Sequence, residues 1–177
     1  MIFQQVYEEN VAFVWRSLRR LGVAPSNLHD AVQDVFVVVH RRLPDFVERA
    51  KTSTWLFRIC LGIARDHRQR AHVRREVLDD SLLDRSPDSA GDAARLVEHR
   101  EDLELFDAAL GTLDLDQRAV FVLFELENMT GEEIAESLQI PLGTVYSRLR
   151  LARQGFKRAV LRHAARRSGG HRVAGLP

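Results

Sequence analysis

The most informative stretch of the chain spans residues 130–156 and reads TGEEIAESLQIPLGTVYSRLRLARQGF. Thr130 and Glu133 have the spacing of a capping box, in which each side chain satisfies a backbone N–H at a helix start. That helix should end within Gln139-Ile140, and Pro141 suits the first turn of a following helix because its missing N–H is not needed there. Two helices joined by so tight a turn predict a helix-turn-helix, whose second helix enters the DNA major groove.

The second helix of this pair is predicted to have one buried and one DNA-facing side. Its apolar residues recur at intervals of four, three and four, so they share one face. They are Val145, Leu149, Ala152 and Phe156. The opposite face and its flanks suit base edges in front and phosphates at the sides, and Arg150 is the best reader of guanine. These candidate DNA-binding residues are Thr144, Tyr146, Ser147, Arg148, Arg150, Leu151 and Arg153, with Gln154 on the same face. Two helices of an ordinary bundle would explain the apolar face but not the basic one.

Charge is distributed unevenly, although the net charge is only +1. Residues 76–107 contain eleven acidic side chains against three arginines, whereas no Asp or Glu follows Glu136 and nine Lys or Arg residues do. A basic block this one-sided favours a polyanion-binding surface. The alternative is a solvated helix face followed by a loose tail.

The remaining patterns predict an all-α fold of two small helical domains joined by a flexible acidic linker. The first domain covers residues 1–77 and should contain three helices. The first helix should stop at Gly22, and the second should follow a turn and cap at Pro25-Ser26-Asn27 and end at Pro44. The third helix should begin near Ser53 or Thr54. Residues 78–92 lose periodicity and gain Pro, Gly and Ser, as a linker does. The second domain covers residues 93–166, and residues 167–177 are expected to be disordered.

Two further helices are predicted in the second domain, ahead of the helix-turn-helix. Leu96, Leu103, Phe106 and Leu110 mark the first of them. Asp114 and Gln117 can cap the next one, because they have the spacing of an N-terminal capping pair. That helix should carry Val120, Leu123 and Phe124 inward.

Several classes of protein are disfavoured by the composition. The one cysteine, Cys60, allows neither a disulfide framework nor a cysteine zinc site, which fits a reducing cytoplasm. The N-terminus lacks a leader pattern and no run of about 18 uncharged apolar residues occurs, so we expect a soluble protein without membrane insertion. His67 and His72 diverge on a helix, and neither an HExxH motif nor a glycine-rich phosphate loop is found. No metal, cofactor or catalytic activity is therefore expected.

Two separate stretches resemble the sigma-70 superfamily. LDLDQRAVFVLFELENMTGEEIAESLQIPLGTVYSRLRLARQGF at residues 113–156 is similar to its promoter-recognition region, especially in EEIAESL, GTVYSRL and AR. DAVQDVF at residues 30–36 and TWLFRICLGIARDHRQR at residues 54–70 are similar to the other sigma domain. Both stretches occur in family order and no further domain is visible, as in the small extracytoplasmic-function (ECF) group.

This resemblance implies an RNA polymerase sigma factor that binds core polymerase, reads minus-35 and minus-10 elements and helps to open the DNA. The helix-turn-helix would read the minus-35 element and the first domain the minus-10 element. Expected partners are the coiled coil of the largest polymerase subunit, the flap region, promoter DNA and an anti-sigma factor. The residues implied in polymerase docking are Asp30, Gln33, Asp34 and Phe36, although Phe36 equally suits core packing.

The minus-10 residues are expected in the segment from Leu43 to Ser53 and the helix after it. There, aromatic rings beside a cationic path suit an unstacked single strand. The residues implied are Phe46, Lys51, Trp55, Arg58, Arg65 and Arg68. Trp55 and Phe57 are equally suited to a core.

Two positions depart from the family pattern. Gly62 stands where Asn is common, and glycine offers no side-chain contact and costs about 1 kcal/mol of helix propensity relative to Ala. Leu151 stands where Arg is usual, and it suits contact with a thymine methyl. The leading alternative function is a helix-turn-helix regulator that works without polymerase, but the first domain shows no sign of strands, a phosphoacceptor pocket or a ligand cavity.

Overall fold

The structure is a computed structural model that describes residues 2–46, 51–77 and 95–170. These residues form seven α-helices and no β-strand, so the all-α prediction is confirmed. The chain divides into two compact units, Met1–Pro87 with Glu132–Ile140, and Asp88–Gly131 with Pro141–Pro177. The linker predicted at residues 78–92 lies outside the described residues, as do residues 171–177, and the domain boundaries stay predictions.

The first unit contains the three helices predicted at the N-terminal end of the chain. Gly22 has φ 90°, a conformation open to glycine, and it follows the first helix at the predicted stop. Pro25–Asn27 forms one 3₁₀ turn, but the Asn27 side chain makes no capping bond, contrary to the prediction. The helices are α1, Phe3–Arg20; α2, Leu28–Arg42; and α3, Thr52–Val77.

The core of the first unit is aliphatic with one fully buried aromatic ring. Val14 and Leu18 of α1, Val35 of α2, and Leu56 and Phe57 of α3 are all removed from solvent. Each such side chain contributes roughly 1.5–3 kcal/mol to folding relative to exposure. Because the three helices pack around these residues, the opposite faces of α2 and α3 are exposed to solvent.

The second unit is built from α4, α5 and α7. Asp114 caps α5 as predicted, since its Oδ1 accepts a hydrogen bond of 2.7 Å from the Gln117 backbone N–H. After Phe121 the chain departs from the prediction and forms a π-helical turn at Val122–Leu126. The helices are α4, Arg95–Gly111; α5, Leu115–Phe121; and α7, Leu142–Gly170. The short α6, Gly131–Leu138, precedes α7 in the chain.

The core of the second unit lies at the C-terminal end of α4. Leu110, Leu113, Phe121 and Ala152 form its buried centre, and the rings of Phe106 and Phe156 pack against it. Leu103, which marked the same face in the sequence, is 58% exposed because it lies two turns before this centre. Phe124 is half-buried rather than turned inward, since it belongs to the π-helical turn.

Candidate functional site

The turn between α6 and α7 has the local structure that the sequence predicts. Gln139 closes α6 with φ 55°, the left-handed conformation typical of a helix end. Pro141 stands directly before α7, and its carbonyl accepts bonds from the backbone N–H groups of Thr144 and Val145 at 2.9 and 3.2 Å. Proline lacks a backbone N–H, but that group has no acceptor within a helix at its first turn. The helix α7 can therefore begin at Leu142, directly after Pro141, without losing a hydrogen bond.

α7 presents the predicted faces. Val145, Leu149 and Ala152 are buried, and Phe156 is half-buried beside Phe121. The opposite residues Ser147, Arg150 and Gln154 are exposed, and Leu151 is 42% exposed. The helix thus offers polar, basic and small apolar groups on one side, the mixture that reads base edges in a major groove.

Tyr146 is held in place by a glycine. A Cβ built on Gly131 would lie 2.7 Å from the Tyr146 hydroxyl oxygen and 2.8 Å from Cζ, far inside van der Waals contact. The phenol therefore rests on the Gly131 backbone, while Tyr146 remains 47% exposed. A larger residue at position 131 would displace the ring, which lies at the edge of the exposed side of α7.

Arg148 and Arg153, predicted as flanking phosphate contacts, each have a carboxylate partner in the second unit. Arg148 Nη2 donates to Asp116 Oδ2 at 2.8 Å, and Arg153 Nε donates to Glu125 Oε1 at 2.6 Å. The Arg153 guanidinium also lies 5.2 Å from the centre of the Phe124 ring, within cation–π range. Arg148 therefore connects α7 to α5, and Arg153 connects it to the π-helical turn that follows α5.

The predicted docking residues of α2 divide into exposed and buried ones. Asp30 and Gln33 are exposed and Asp34 is half-exposed, whereas Phe36 is only 5% exposed. The Phe36 ring packs against Phe3 and Tyr7, with ring centres 6.3 and 4.6 Å apart. Phe36 thus mainly shapes α2, as the core alternative supposed.

A groove of about 620 Å³ lies between α1 and α2 beside these residues. Aromatic and aliphatic side chains line most of it, including Tyr7, Trp15 and Val37, and Gln33 forms part of its rim. Tyr7, Trp15 and Val37 are each at least 40% exposed. The exposed side of α2 therefore combines polar docking candidates with an apolar surface.

The predicted minus-10 residues form an aromatic pair and a row of cations. The rings of Phe46 and Trp55 are 4.6 Å apart and inclined by 37°, so they make one half-buried surface rather than two separate ones. Phe57 is fully buried, which confirms the core alternative for that residue. Arg58, Arg65 and Arg68 are exposed on α3, and Lys51 is exposed before it.

Lys51 and Arg58 each contact a residue of α6 or its C-terminal end, in the part of the chain that belongs to the first unit. Lys51 Nζ lies 3.7 Å from Glu133 Oε1, and Arg58 donates to Gln139 at 3.2 Å. All four side chains are at the surface, where such contacts contribute little, typically about 0–1 kcal/mol. A phosphate can replace them at small cost.

Similarity to known proteins identifies the family. Residues 6–74 match Sigma-70 region 2, and residues 103–154 match Sigma-70, region 4. The chain belongs to the sigma-70 family. Both regions are present in family order, so the chain is an ECF RNA polymerase sigma factor, and the alternative of a regulator that works without polymerase is set aside.

Relatives and solved structures agree with this membership in the sigma-70 family. The chain is 28% identical over 161 residues to the ECF RNA polymerase sigma-E factor of Escherichia coli K12, covering 87% of this chain and 82% of that one. CnrH, solved in complex with the cytosolic domain of CnrY, has a TM-score of 0.61 at 26% identity, covering 88% of this chain and 84% of that one. RpoE of Bartonella quintana, solved with the anti-sigma factor NepR, shares the fold at a TM-score of 0.72 and 20% identity, covering 89% and 96%.

The two departures from the sigma-70 pattern both lie on accessible surfaces. Nothing lies within 4 Å of a Cβ built on Gly62, so no steric demand explains the glycine. Leu151 is exposed beside Arg150, where the family usually carries Arg. Both positions are therefore accessible to solvent.

One structural arginine in region 4 was not predicted from the sequence. Arg118 is 5% exposed, and its Nε donates to the Leu110 carbonyl at 2.8 Å, with a second bond from Nη2. A buried guanidinium that binds the carbonyl end of α4 is stabilised by the helix dipole. The only sequence signal was an Arg amid apolar residues of α5.

The structure offers little support for nucleophilic or metal chemistry. Burial raises the pKa of the Cys60 thiol to about 12, so it stays protonated and is a poor metal ligand or nucleophile. The described residues hold no cluster of three or more His, Cys, Asp or Glu side chains that could bind a metal ion. Among the same residues, no helix is long and apolar enough to cross a membrane.

Proposed function

We propose that this chain directs core RNA polymerase to promoters through α2, α3 and α7, each with a separate role. The observation that carries the proposal is the presence of sigma-70 regions 2 and 4 in order on one chain, with Ser147, Arg150 and Leu151 of α7 exposed. Region 2 binds the largest-subunit coiled coil and the minus-10 element, and region 4 binds the minus-35 element and the flap region.

Polymerase docking is assigned to Asp30, Gln33 and Asp34. These side chains lie on one side of α2, at least partly exposed. Phe36 packs α2 against α1 through its contacts with Phe3 and Tyr7. The carboxylates of α2, on the same helix as Gln33, which helps to line an apolar groove, suit a cationic, amphipathic helix of the kind that a coiled coil supplies.

Minus-35 recognition is assigned to the exposed side of α7. Arg150 donates two bonds to a guanine, Leu151 contacts a thymine methyl, and Thr144 and Ser147 lie toward the start of the helix where base edges are usually met. Arg148, Arg153 and Tyr146 contact phosphates on either side.

Minus-10 recognition is assigned to α3 and the segment before it. A flipped base stacks on the joint surface of Phe46 and Trp55, and the exposed Arg58, Arg65 and Arg68 follow the single-stranded backbone. Lys51 exchanges Glu133 for a phosphate when DNA is bound.

An anti-sigma factor restrains the protein until it is needed. The support is that two sigma factors of similar fold were solved with a protein partner, RpoE with the anti-sigma factor NepR and CnrH with the cytosolic domain of CnrY. The protein acts in the cytoplasm, where polymerase is, and has no catalytic activity of its own, because the polymerase performs the chemistry.

Run-off transcription tests the proposal. Core polymerase is mixed with this chain on a promoter library randomised at both elements, and transcripts are sequenced. Specific transcripts should require both components. Specific DNA binding by the chain alone, with no affinity for core polymerase, would instead indicate a polymerase-independent regulator.

Charge reversal at Asp34 tests the docking surface. Asp34→Arg should weaken binding to core polymerase while the chain stays folded, because the side chain is half-exposed and lies outside the apolar core. Glu9→Arg, an equal charge change at an exposed site on α1, is the matched control and should bind as the parent does. Equal affinity of parent and Asp34→Arg would remove Asp34 from the interface.

A further inference from the structure

His67 of α3 lies beneath the proposed docking carboxylate of Asp34. Its side chain is 13% exposed, and its Nε2 atom is shielded from solvent and forms no hydrogen bond with any described residue. Asp34 Oδ2 lies 3.5 Å from Nε2, slightly beyond an ordinary N–H···O bond. A buried ring nitrogen therefore lies within ion-pair distance of a half-exposed carboxylate.

An unsatisfied buried donor is unfavourable by about 1–3 kcal/mol, so the imidazole gains from moving the remaining few tenths of an ångström toward Asp34. The bond is open to the neutral tautomer with a hydrogen on Nε2 and to the imidazolium, since both carry that hydrogen. The approach of His67 is to Oδ2 of this carboxylate. The Asp34 side chain is 46% exposed, so the other oxygen remains available to a partner.

A carboxylate that accepts such a bond at one oxygen would sample fewer rotamers. A short acidic side chain on a helix surface otherwise samples several rotamers, and ordering it on binding lowers affinity. We infer that His67 is a positioning residue for polymerase binding, which fixes Asp34 so that its second oxygen faces the polymerase. The inference rests on the proposed function, because Asp34 must contact polymerase for its position to matter.

Four variants test this inference by equilibrium binding of the full chain to core polymerase. His67→Leu removes the ring nitrogens and should weaken binding roughly three- to tenfold, the effect of a directly coupled pair. His67→Gln keeps an N–H donor near the Nε2 position and should bind within about twofold of the parent. Asp34→Ala, which removes the acceptor, and the double variant Asp34→Ala with His67→Leu complete a cycle, in which His67→Leu should have no further effect.

The possible outcomes distinguish a failure of the inference about His67 from a failure of the proposed docking role of Asp34. Unchanged binding by Asp34→Ala would overturn the docking role of Asp34 itself. If Asp34→Ala weakens binding and the addition of His67→Leu weakens it further by as much as His67→Leu weakens the parent, His67 acts only through the fold and the inference is wrong. Equal binding by parent and His67→Leu would also overturn it.

A pair of polar variants covers the case in which His67→Leu does not fold. His67→Asn places its amide near Nδ1 and leaves Nε2 unreplaced, whereas His67→Gln reaches the Nε2 position. The inference is supported if His67→Gln binds core polymerase more tightly than His67→Asn does, provided that both variants have the melting temperature of the parent. Equal affinities for the two would overturn it.

Discussion

Replacing Arg150 with alanine should abolish recognition at one base pair while leaving the fold intact. Arg150 is exposed on α7, and among the described residues no side chain is seen to pair with it. Truncation therefore removes no packing, and the free energy of unfolding should change by less than about 0.5 kcal/mol. A bidentate contact with guanine is worth about 1–3 kcal/mol of discrimination, which corresponds to roughly 5- to 150-fold in affinity for the preferred minus-35 element.

Arg153→Ala should behave differently, because Arg153 has two partners inside region 4. Loss of the partly exposed ion pair with Glu125 costs about 0.2–1 kcal/mol, and loss of the contact with Phe124 about 0.5–1 kcal/mol. The melting temperature should therefore fall by several degrees, at roughly 4–8 °C per kcal/mol for a small domain. On DNA, the variant should weaken all sequences alike and lower the logarithmic salt slope by about one.

Selection of randomised minus-35 elements by reconstituted holoenzyme, repeated at several salt concentrations, separates these effects. Arg150→Lys is the matched control, since it keeps the charge but loses the planar fork that binds guanine at two points. It should show the altered preference of Arg150→Ala with a smaller loss of overall affinity. The reasoning is refuted if Arg150→Ala keeps the parental preference at every position, or if Arg153→Ala changes the preference at one position.

Three further predictions concern stability and reactivity. Gly155→Ala should lower the free energy of unfolding by about 1–3 kcal/mol in a denaturant titration, because its Cβ would lie 2.8 Å from Leu113 Cδ2. Gly62→Ala should raise it by up to about 1 kcal/mol, since the new methyl group meets open space on a helix; a loss of stability would contradict this. Cys60 should resist alkylation by iodoacetamide at pH 8 until the chain unfolds. Its folded pKa of about 12 exceeds the unfolded value, so its contribution to stability is complete below the unfolded pKa and is lost as the pH rises toward 12.

Periodicity along the sequence was sufficient to predict the helices and the faces of α7. Val145, Leu149 and Ala152 are buried and Arg150 is exposed because an α-helix places residues three and four apart on one side, whatever lies around it. The Asp114 cap was predictable for the same reason, since the capping carboxylate and the N–H that it binds are three residues apart. Local spacing carries all the information that these features need.

Features that depend on distant parts of the chain were not predictable in this way. Arg148 and Asp116 are 32 residues apart, Arg153 and Glu125 are 28 apart, and no local pattern marks either pair. The π-helical turn at Val122–Leu126 and the exposure of Leu103 depend on where the helices end relative to the core. The roles of Asp34 and Gln33 came from resemblance alone, since exposed polar residues on a helix carry no signature of their partner.

The carboxylate partners of Arg148 and Arg153 bear on how α7 meets DNA. An acidic residue near a phosphate normally opposes binding, so Asp116 and Glu125 would be unfavourable if they faced the DNA alone. Each of these two hydrogen bonds, however, uses one nitrogen of a guanidinium that carries several further N–H donors. The remaining donors can still reach a phosphate, and a side chain already held in one rotamer loses less entropy on binding, about 0.5–1.5 kcal/mol for each long side chain. In the proposed complex, Asp116 and Glu125 therefore offset part of their repulsion of DNA by ordering the two arginines, whereas Arg150, for which no such partner is seen among the described residues, is ordered only when DNA binds.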